Sequence, residues 1–184
     1  MTPLLNTIDP VLAHALAAFM AALLLIGALE KLGDMAVFTE ALAQYQLVPA
    51  SLIMPVAWLF PLMEALAGAL LLPTVTRLEG ALLAMVVVGT ASLAIAINLR
   101  RGRTRIDCGC GMGEHTPLSS RLLWRNAVLL ALLAACTLPL AQRSSSWLDL
   151  LAVAMSTLFL LGAYFLANTL LANEPRLAHL RSLL

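Results

Sequence analysis

Five apolar stretches of about twenty residues each leave this chain few folds to adopt. They run from about Val11 to Leu29, Leu52 to Leu72, Gly80 to Leu99, Leu122 to Ala141 and Leu150 to Asn173. Roughly 20 such residues cross the hydrocarbon core of a bilayer as a helix. Hydrocarbon offers no water to backbone N–H and C=O groups, so each stretch is expected to be a helix and not a strand. Only 11% of the 184 residues are charged, and 61% are hydrophobic. Soluble globular domains carry roughly 25% charge, so this chain could not cover a water-facing surface. The expected fold is an all-α membrane protein. Residues 1–184 form a single integral membrane domain, a bundle of about five transmembrane helices. The net charge of +1 gives no basis for a nucleic-acid partner.

The first apolar stretch has no Lys or Arg before it within the first ten residues, and it is long enough to remain in the bilayer. It is therefore read as a span and not as a cleaved signal peptide. Between the first and second spans, Met35, Val37, Phe38, Leu42, Tyr45 and Leu47 lie among polar residues. Asp34 suits a helix cap, and the pattern predicts a short amphipathic interfacial helix ended by Pro49.

The longest polar segment, the loop over residues 100–121 with its extension to Asn126, lies between the third and fourth spans. Arg100, Arg101, Arg103, Arg105, Arg121 and Arg125 are six of the chain's eleven cations, and Cys108 and Cys110 are two of its three cysteines. Five spans place these arginines on one side with Lys31, Arg176 and Arg181, and leave Arg77 and Arg143 on the other. Cytoplasmic loops hold the excess of Lys and Arg. The cysteine loop is therefore expected on the cytoplasmic face of a bacterial inner membrane.

Thiol–disulfide exchange needs a thiolate and a second thiol to resolve the mixed disulfide. Cys108 and Cys110 meet the second need by proximity alone. Arg103 and Arg105 favour the thiolate, and Asp107 opposes them. Gly109, Gly111 and Gly113 give the backbone the freedom to close so small a ring. A disulfide across one intervening residue is strained and readily reduced, which suits a relay and not a brace. Two other readings stay open. The segment is an inert turn, or Asp107, Cys108, Cys110 and His115 bind Cu(I) or Zn. The spacing of a structural zinc site is missing and no second pair completes four ligands, so no metal is assigned.

Cys136, in the fourth span and about 20 Å from the loop side, reads as packing. Glu64 lies deep in the second span, where an ionisable group faces the bundle interior. Pro61 one turn earlier would open the backbone near it. Glu64 is read either as a neutral, hydrogen-bonded packing acid or as a group that handles protons or a quinone, and the sequence does not choose. Glu30 and Lys31 read as a solvated helix end. Arg125 and Asn126, one turn inside the fourth span, are expected to hydrogen-bond the loop or the head of the third span near Asn98.

The order of these elements resembles one family. Phe38, Leu42, Tyr45, Leu47, Val48 and Pro49 precede a span with Pro61, Glu64 and Gly68. Asp107-Cys108-Gly109-Cys110 is followed by Ser119 and by Arg125-Asn126. Together, over about residues 10–170, these look like the methylamine utilization protein MauE, a relative of the DoxX-like membrane proteins. After the second cysteine the chain departs from the family's expected Phe-Gly, having Gly111-Met112-Gly113.

The resemblance implies a maturation factor for methylamine dehydrogenase and not the dehydrogenase itself. The client would be the enzyme's small subunit, with its tryptophan-derived quinone and many periplasmic disulfides. A thioredoxin-like MauD-type protein would be the partner. The expected site is Cys108 and Cys110 as the exchanging pair, supported by Arg105, Asp107, Gly109, Arg125, Asn126 and Glu64. The alternative is a non-enzymatic membrane scaffold or chaperone for that partner. A third reading, a quinone-linked oxidase of the DsbB kind, is weakened because such a scheme uses a second cysteine pair that this chain lacks.

Overall fold

A computed structural model describes residues 8–103, 106, 118–141 and 146–181, with side chains described as far as residue 170. Asp9 starts the first helix by accepting the N–H of Val11 at 2.8 Å, with Pro10 in the first turn where its missing N–H has no partner to lose. This helix, α1, runs Pro10–Gly33. Asp34 then caps α2, Met35–Tyr45, by accepting the N–H of Val37 at 3.2 Å. The cap is the one the sequence predicted. The buried face of α2 is Phe38, Ala41 and Tyr45, at the i, i+3, i+7 spacing of an amphipathic helix. It ends one turn before Pro49, at Gln46, whose φ of 49° is left-handed and breaks the hydrogen-bond ladder.

Helices α3, Ala50–Leu71, α4, Arg77–Arg100, α5, Ser120–Ala135, and α6, Trp147–Arg181, complete the order. Among the described residues, four of the six helices, α1, α3, α4 and the Trp147–Leu170 part of α6, are long and apolar enough to cross a bilayer. The stretch expected over Leu122–Ala141 is shorter as a helix. The 16 residues of α5 rise about 24 Å, less than a ~30 Å hydrocarbon core. Pro139 disfavours helix in the residue before it. The chain leaves α5 at Cys136 and runs extended beside Ile8, which accepts from Ala141 N–H at 2.9 Å and donates to Pro139 O at 3.0 Å.

Long helices that follow one another in the chain alternate in direction. Gly27 of α1 faces Glu64 of α3, while Gly68 lies against Ala21 and Leu25. Ala84 clusters with Leu133 and Ile95 with Leu122, so α5 returns antiparallel along α4. Helix α6 runs parallel to α1: Thr157 Oγ1 lies 3.5 Å from the Ala15 carbonyl, and further along both helices Phe19 stands edge-on to Tyr164 at 6.1 Å. The interior is built of small side chains: Ala13, Ala15, Ala17, Ala21, Ala57, Ala67, Ala81 and Ala84 are all 1% exposed or less. Lipid tails are as apolar as leucine, so helices in a bilayer associate by close packing, which small residues permit. The leucines point outward: Leu59, Leu62 and Leu66 on α3, Leu82 and Leu93 on α4, Leu151 and Leu158 on α6. A continuous apolar exterior on this scale exceeds what water tolerates and suits lipid. The protein is a multi-pass membrane protein.

Candidate functional site: a polar cavity inside the bundle

The loop between α4 and α5 joins the end of the bundle that α2 covers. Arg103 donates through Nη2 to Oε1 of Gln46, and Arg101 Nη1 reaches the Gln46 carbonyl at 3.5 Å. Leu118 N–H donates to Ile106 O at 3.2 Å, tying the two arms of the loop together. Ile106 packs on the cluster formed by Tyr45, Ile95, Leu118 and Leu122. The roots of the loop therefore sit on the C-terminal end of α2. Arg105, Asp107, Cys108, Gly109, Cys110 and His115 lie outside the described residues.

Beneath α2 is a cavity of about 340 Å³ with walls from all six helices. It is mostly apolar, with two polar stations. The first joins α1 to α3. Lys31 Nζ donates to Glu64 Oε2 at 2.8 Å and to the Gly27 carbonyl at 3.1 Å, and lies 6.0 Å from the centre of the Phe38 ring. The side chains of the pair are 7% and 12% exposed. Gly27 leaves room for the pair: a Cβ there would stand 3.1 Å from Glu64 Oε1 and 3.3 Å from Lys31 Nζ, and both tips would have to shift slightly. Counter-charge and hydrogen bonds together are what make two ions tolerable in such surroundings.

The second station joins α5 to α4 and α6. Arg125 donates through Nη1 to Asn168 Oδ1 at 3.0 Å, and through Nε and Nη2 to Asn126 Oδ1 at 3.3 and 3.2 Å. Its guanidinium carbon lies 5.9 Å from the Tyr164 ring centre. Asn126 Nδ2 donates to Ser92 Oγ at 3.1 Å. Each station thus ties neighbouring helices by groups that could not stay unpaired in hydrocarbon.

Three expectations need correction. Lys31 is not a solvated helix end, because α2 folds its apolar face over the end of α1 and buries it. The partner of Glu64 is this ammonium, not a backbone group freed at Pro61. On α4, Asn126 reaches Ser92, six residues from Asn98, because α5 lies antiparallel to α4 and its second turn meets α4 deeper in the bundle; the bonding expected to the loop itself lies outside the described residues. Asn98 is fully buried, and its Nδ2 donates to Ala94 O at 3.1 Å. Cys136 is where the packing reading put it, 4% exposed in the core cluster at the end away from the loop. Two contributors went unnoticed in the sequence, Ser92 and Asn168. Each is a polar residue within an apolar span, which is itself the signal.

The fold and cavity define a multi-pass α-helical membrane protein with a polar site inside its helix bundle. Residues 9–139 match the family described as Methylamine utilisation protein MauE. The relative from Paracoccus versutus, a methylamine utilization protein MauE, is 41% identical over 170 residues, or 88% of each chain. The one from Methylophilus methylotrophus is 33% identical over 177 residues, covering 93% of this chain and 91% of its own length. The one from Paracoccus denitrificans is 36% identical over 141 residues, 75% and 76% of the two chains. The chain belongs to the MauE family. No solved structure matches it.

Proposed function

We propose that this protein serves methylamine utilisation as an inner-membrane maturation factor. In this reading it relays thiol–disulfide exchange to the small subunit of methylamine dehydrogenase through a thioredoxin-like partner of the MauD type. The observation that carries the reading is the family match over residues 9–139, which encloses Cys108-Gly109-Cys110. In the exchange, the thiolate of one cysteine attacks a partner disulfide and displaces a partner thiolate. The second cysteine then attacks the mixed disulfide, releasing the other partner thiolate and closing the Cys108–Cys110 bond. Two electrons pass to the partner, and the reverse sequence returns them. Arg105 and Asp107 would set the thiolate fraction, and Gly109 would let the small ring close.

The cytoplasmic side for the loop is part of the proposal. Lys31, Arg77 and Arg125 are interior groups and do not belong in a count of loop charges. Without them, Arg100, Arg101, Arg103, Arg105, Arg121, Arg176 and Arg181 stand against Arg143 alone, and the bias keeps its sign.

The test is growth on methylamine, together with the level of mature small subunit, in a host whose only copy carries Cys108→Ser or Cys110→Ser. Loss of both with either variant is the expected result. Full retention with both variants would replace the relay by a scaffold that holds the partner. Alkylation of the two cysteines in intact cells, with impermeant and then permeant reagents, before and after reduction, reports their redox state and their side.

A further inference from the structure

The cavity is better equipped than two helix ties require. Lys31 has three N–H donors and spends two. Arg125 has five and spends three, and Asn126 spends one of its two amide N–H groups. Among the described residues, one N–H of Lys31, two of Arg125 and one of Asn126 have no acceptor. All three side chains line the cavity. With Glu64 they leave its wall with one net positive charge. Donor-rich walls in apolar surroundings select a ligand that accepts hydrogen bonds.

The rings of the chain are also unevenly placed. Both tyrosines, Tyr45 and Tyr164, and two of the five phenylalanines, Phe38 and Phe60, line the cavity, whereas Trp58, Trp124 and Trp147 face outward. Flat aromatic walls favour a planar, unsaturated occupant. Thr90 and Leu93 line the cavity and are also exposed on the outer face of α4, so the space reaches the lipid side of the bundle. The volume lies at the lower end of the roughly 300–1,000 Å³ of small-molecule sites.

We infer that this cavity binds the ring of a lipid-soluble quinone, whose carbonyl oxygens accept from Arg125 and Lys31 and whose tail leaves past Thr90 and Leu93. A quinone is planar, offers two acceptors and no donor, and reaches the site through the bilayer. Binding stands on the cavity alone. Its consequence rests on the relay proposed above. The roots of the cysteine loop sit on the end of α2 that roofs the cavity. A single cysteine pair suffices for this step: closing the Cys108–Cys110 dithiol to a disulfide releases two electrons and two protons, and a bound quinone would take up both as it becomes quinol.

The experiment is binding of the short-tailed benzoquinone ubiquinone-1 to the full chain in lipid nanodiscs, by calorimetry and native mass spectrometry, with oleate as a parallel probe. One equivalent of quinone is expected to bind at micromolar concentration. Arg125→Gln should weaken binding at least tenfold, and Ala91→Phe, which fills the cavity, should abolish it. Leu82→Ala on the lipid face should leave it unchanged. Circular dichroism and monodisperse elution establish that each variant is folded. If Arg125→Gln does not fold, Ala91→Phe decides. Absence of saturable quinone binding, quinone binding that survives Ala91→Phe, or uptake of oleate in preference to quinone overturns the inference. The Cys108→Ser, Cys110→Ser double variant should still bind quinone, so failure of the relay and failure of this site are read separately.

Discussion

The two ends of the bundle solve the same problem by opposite means. At the end where α3 turns into α4, Ala67, Leu71, Ala81, Ala84, Leu133 and Cys136 pack together in one core cluster, and Arg77 at the start of α4 is buried as well. There the backbones approach so closely that a Cβ on Gly80 would lie 2.6 Å from the Leu71 nitrogen. At the end under α2 the helices stand apart around the cavity, and Lys31–Glu64, Arg125–Asn168 and Asn126–Ser92 bridge the space. One end is held by shape and the other by charge and hydrogen bonds. Shape tolerates no insertion, whereas charge tolerates no deletion. Substitutions at the two ends should therefore fail in different ways.

The largest effect is expected at the ion pair. Lys31→Met alone leaves a buried carboxylate without its counter-ion and should lower unfolding stability by about 3–5 kcal/mol. Lys31→Met with Glu64→Leu removes both charges and should recover most of that loss. Helicity followed through a denaturant titration in mixed micelles measures both. A double variant no more stable than the single one would mean that packing, not charge compensation, holds this end.

The closed end gives the complementary result. Gly80→Ala places a methyl group against the backbone of Leu70 and Leu71, which cannot rotate away, and should cost about 1–3 kcal/mol in the same titration. No second substitution of charge should rescue it. Rescue would show that α3 and α4 can separate there, contrary to the packing.

Much of this contrast was legible in the chain. Length and apolarity located the long helices, because a bilayer permits little else. Asp34, with Phe38, Leu42 and Tyr45 among polar residues, located α2, although the face it buries is Phe38, Ala41 and Tyr45. Glu64 was legible as a group needing a partner, but the partner was not, since the pairing depends on which way α2 turns after Asp34. Had α2 lain away from the bundle, Lys31 would have been the solvated helix end its position suggests. Likewise Arg125 and Asn126 were visible as polar intruders, while Ser92 became a partner only through the antiparallel register of α4 and α5. The cavity was not legible at all. It is the space left between helices whose separations no local pattern encodes.

Gly27 joins the two behaviours, since a shape-limited glycine here borders the ion pair. A Cβ would meet Glu64 Oε1 at 3.1 Å and Lys31 Nζ at 3.3 Å, both ends of flexible side chains. Gly27→Ala should therefore cost about 1 kcal/mol, less than Gly80→Ala. Most of that cost should vanish in the Lys31→Met, Glu64→Leu background, where the tips are no longer bound to each other. An undiminished cost there would move Gly27 into the class of backbone-limited contacts.

The smallest effect should come from the bond between Asn126 and Ser92. Interhelical hydrogen bonds in membrane proteins contribute about 0.6 kcal/mol on average, because the unfolded chain in the bilayer also finds partners for its polar groups. A double-mutant cycle with Asn126→Ala and Ser92→Ala isolates the coupling and should return a value of that order. Asn126 differs from Ser92 in also accepting two N–H groups of Arg125. Asn126→Ala alone should thus cost more than Ser92→Ala alone, by the loss of acceptors for a guanidinium that keeps Asn168. Equal single costs would show that Arg125 finds its acceptors elsewhere and that the second station is a looser tie than the first.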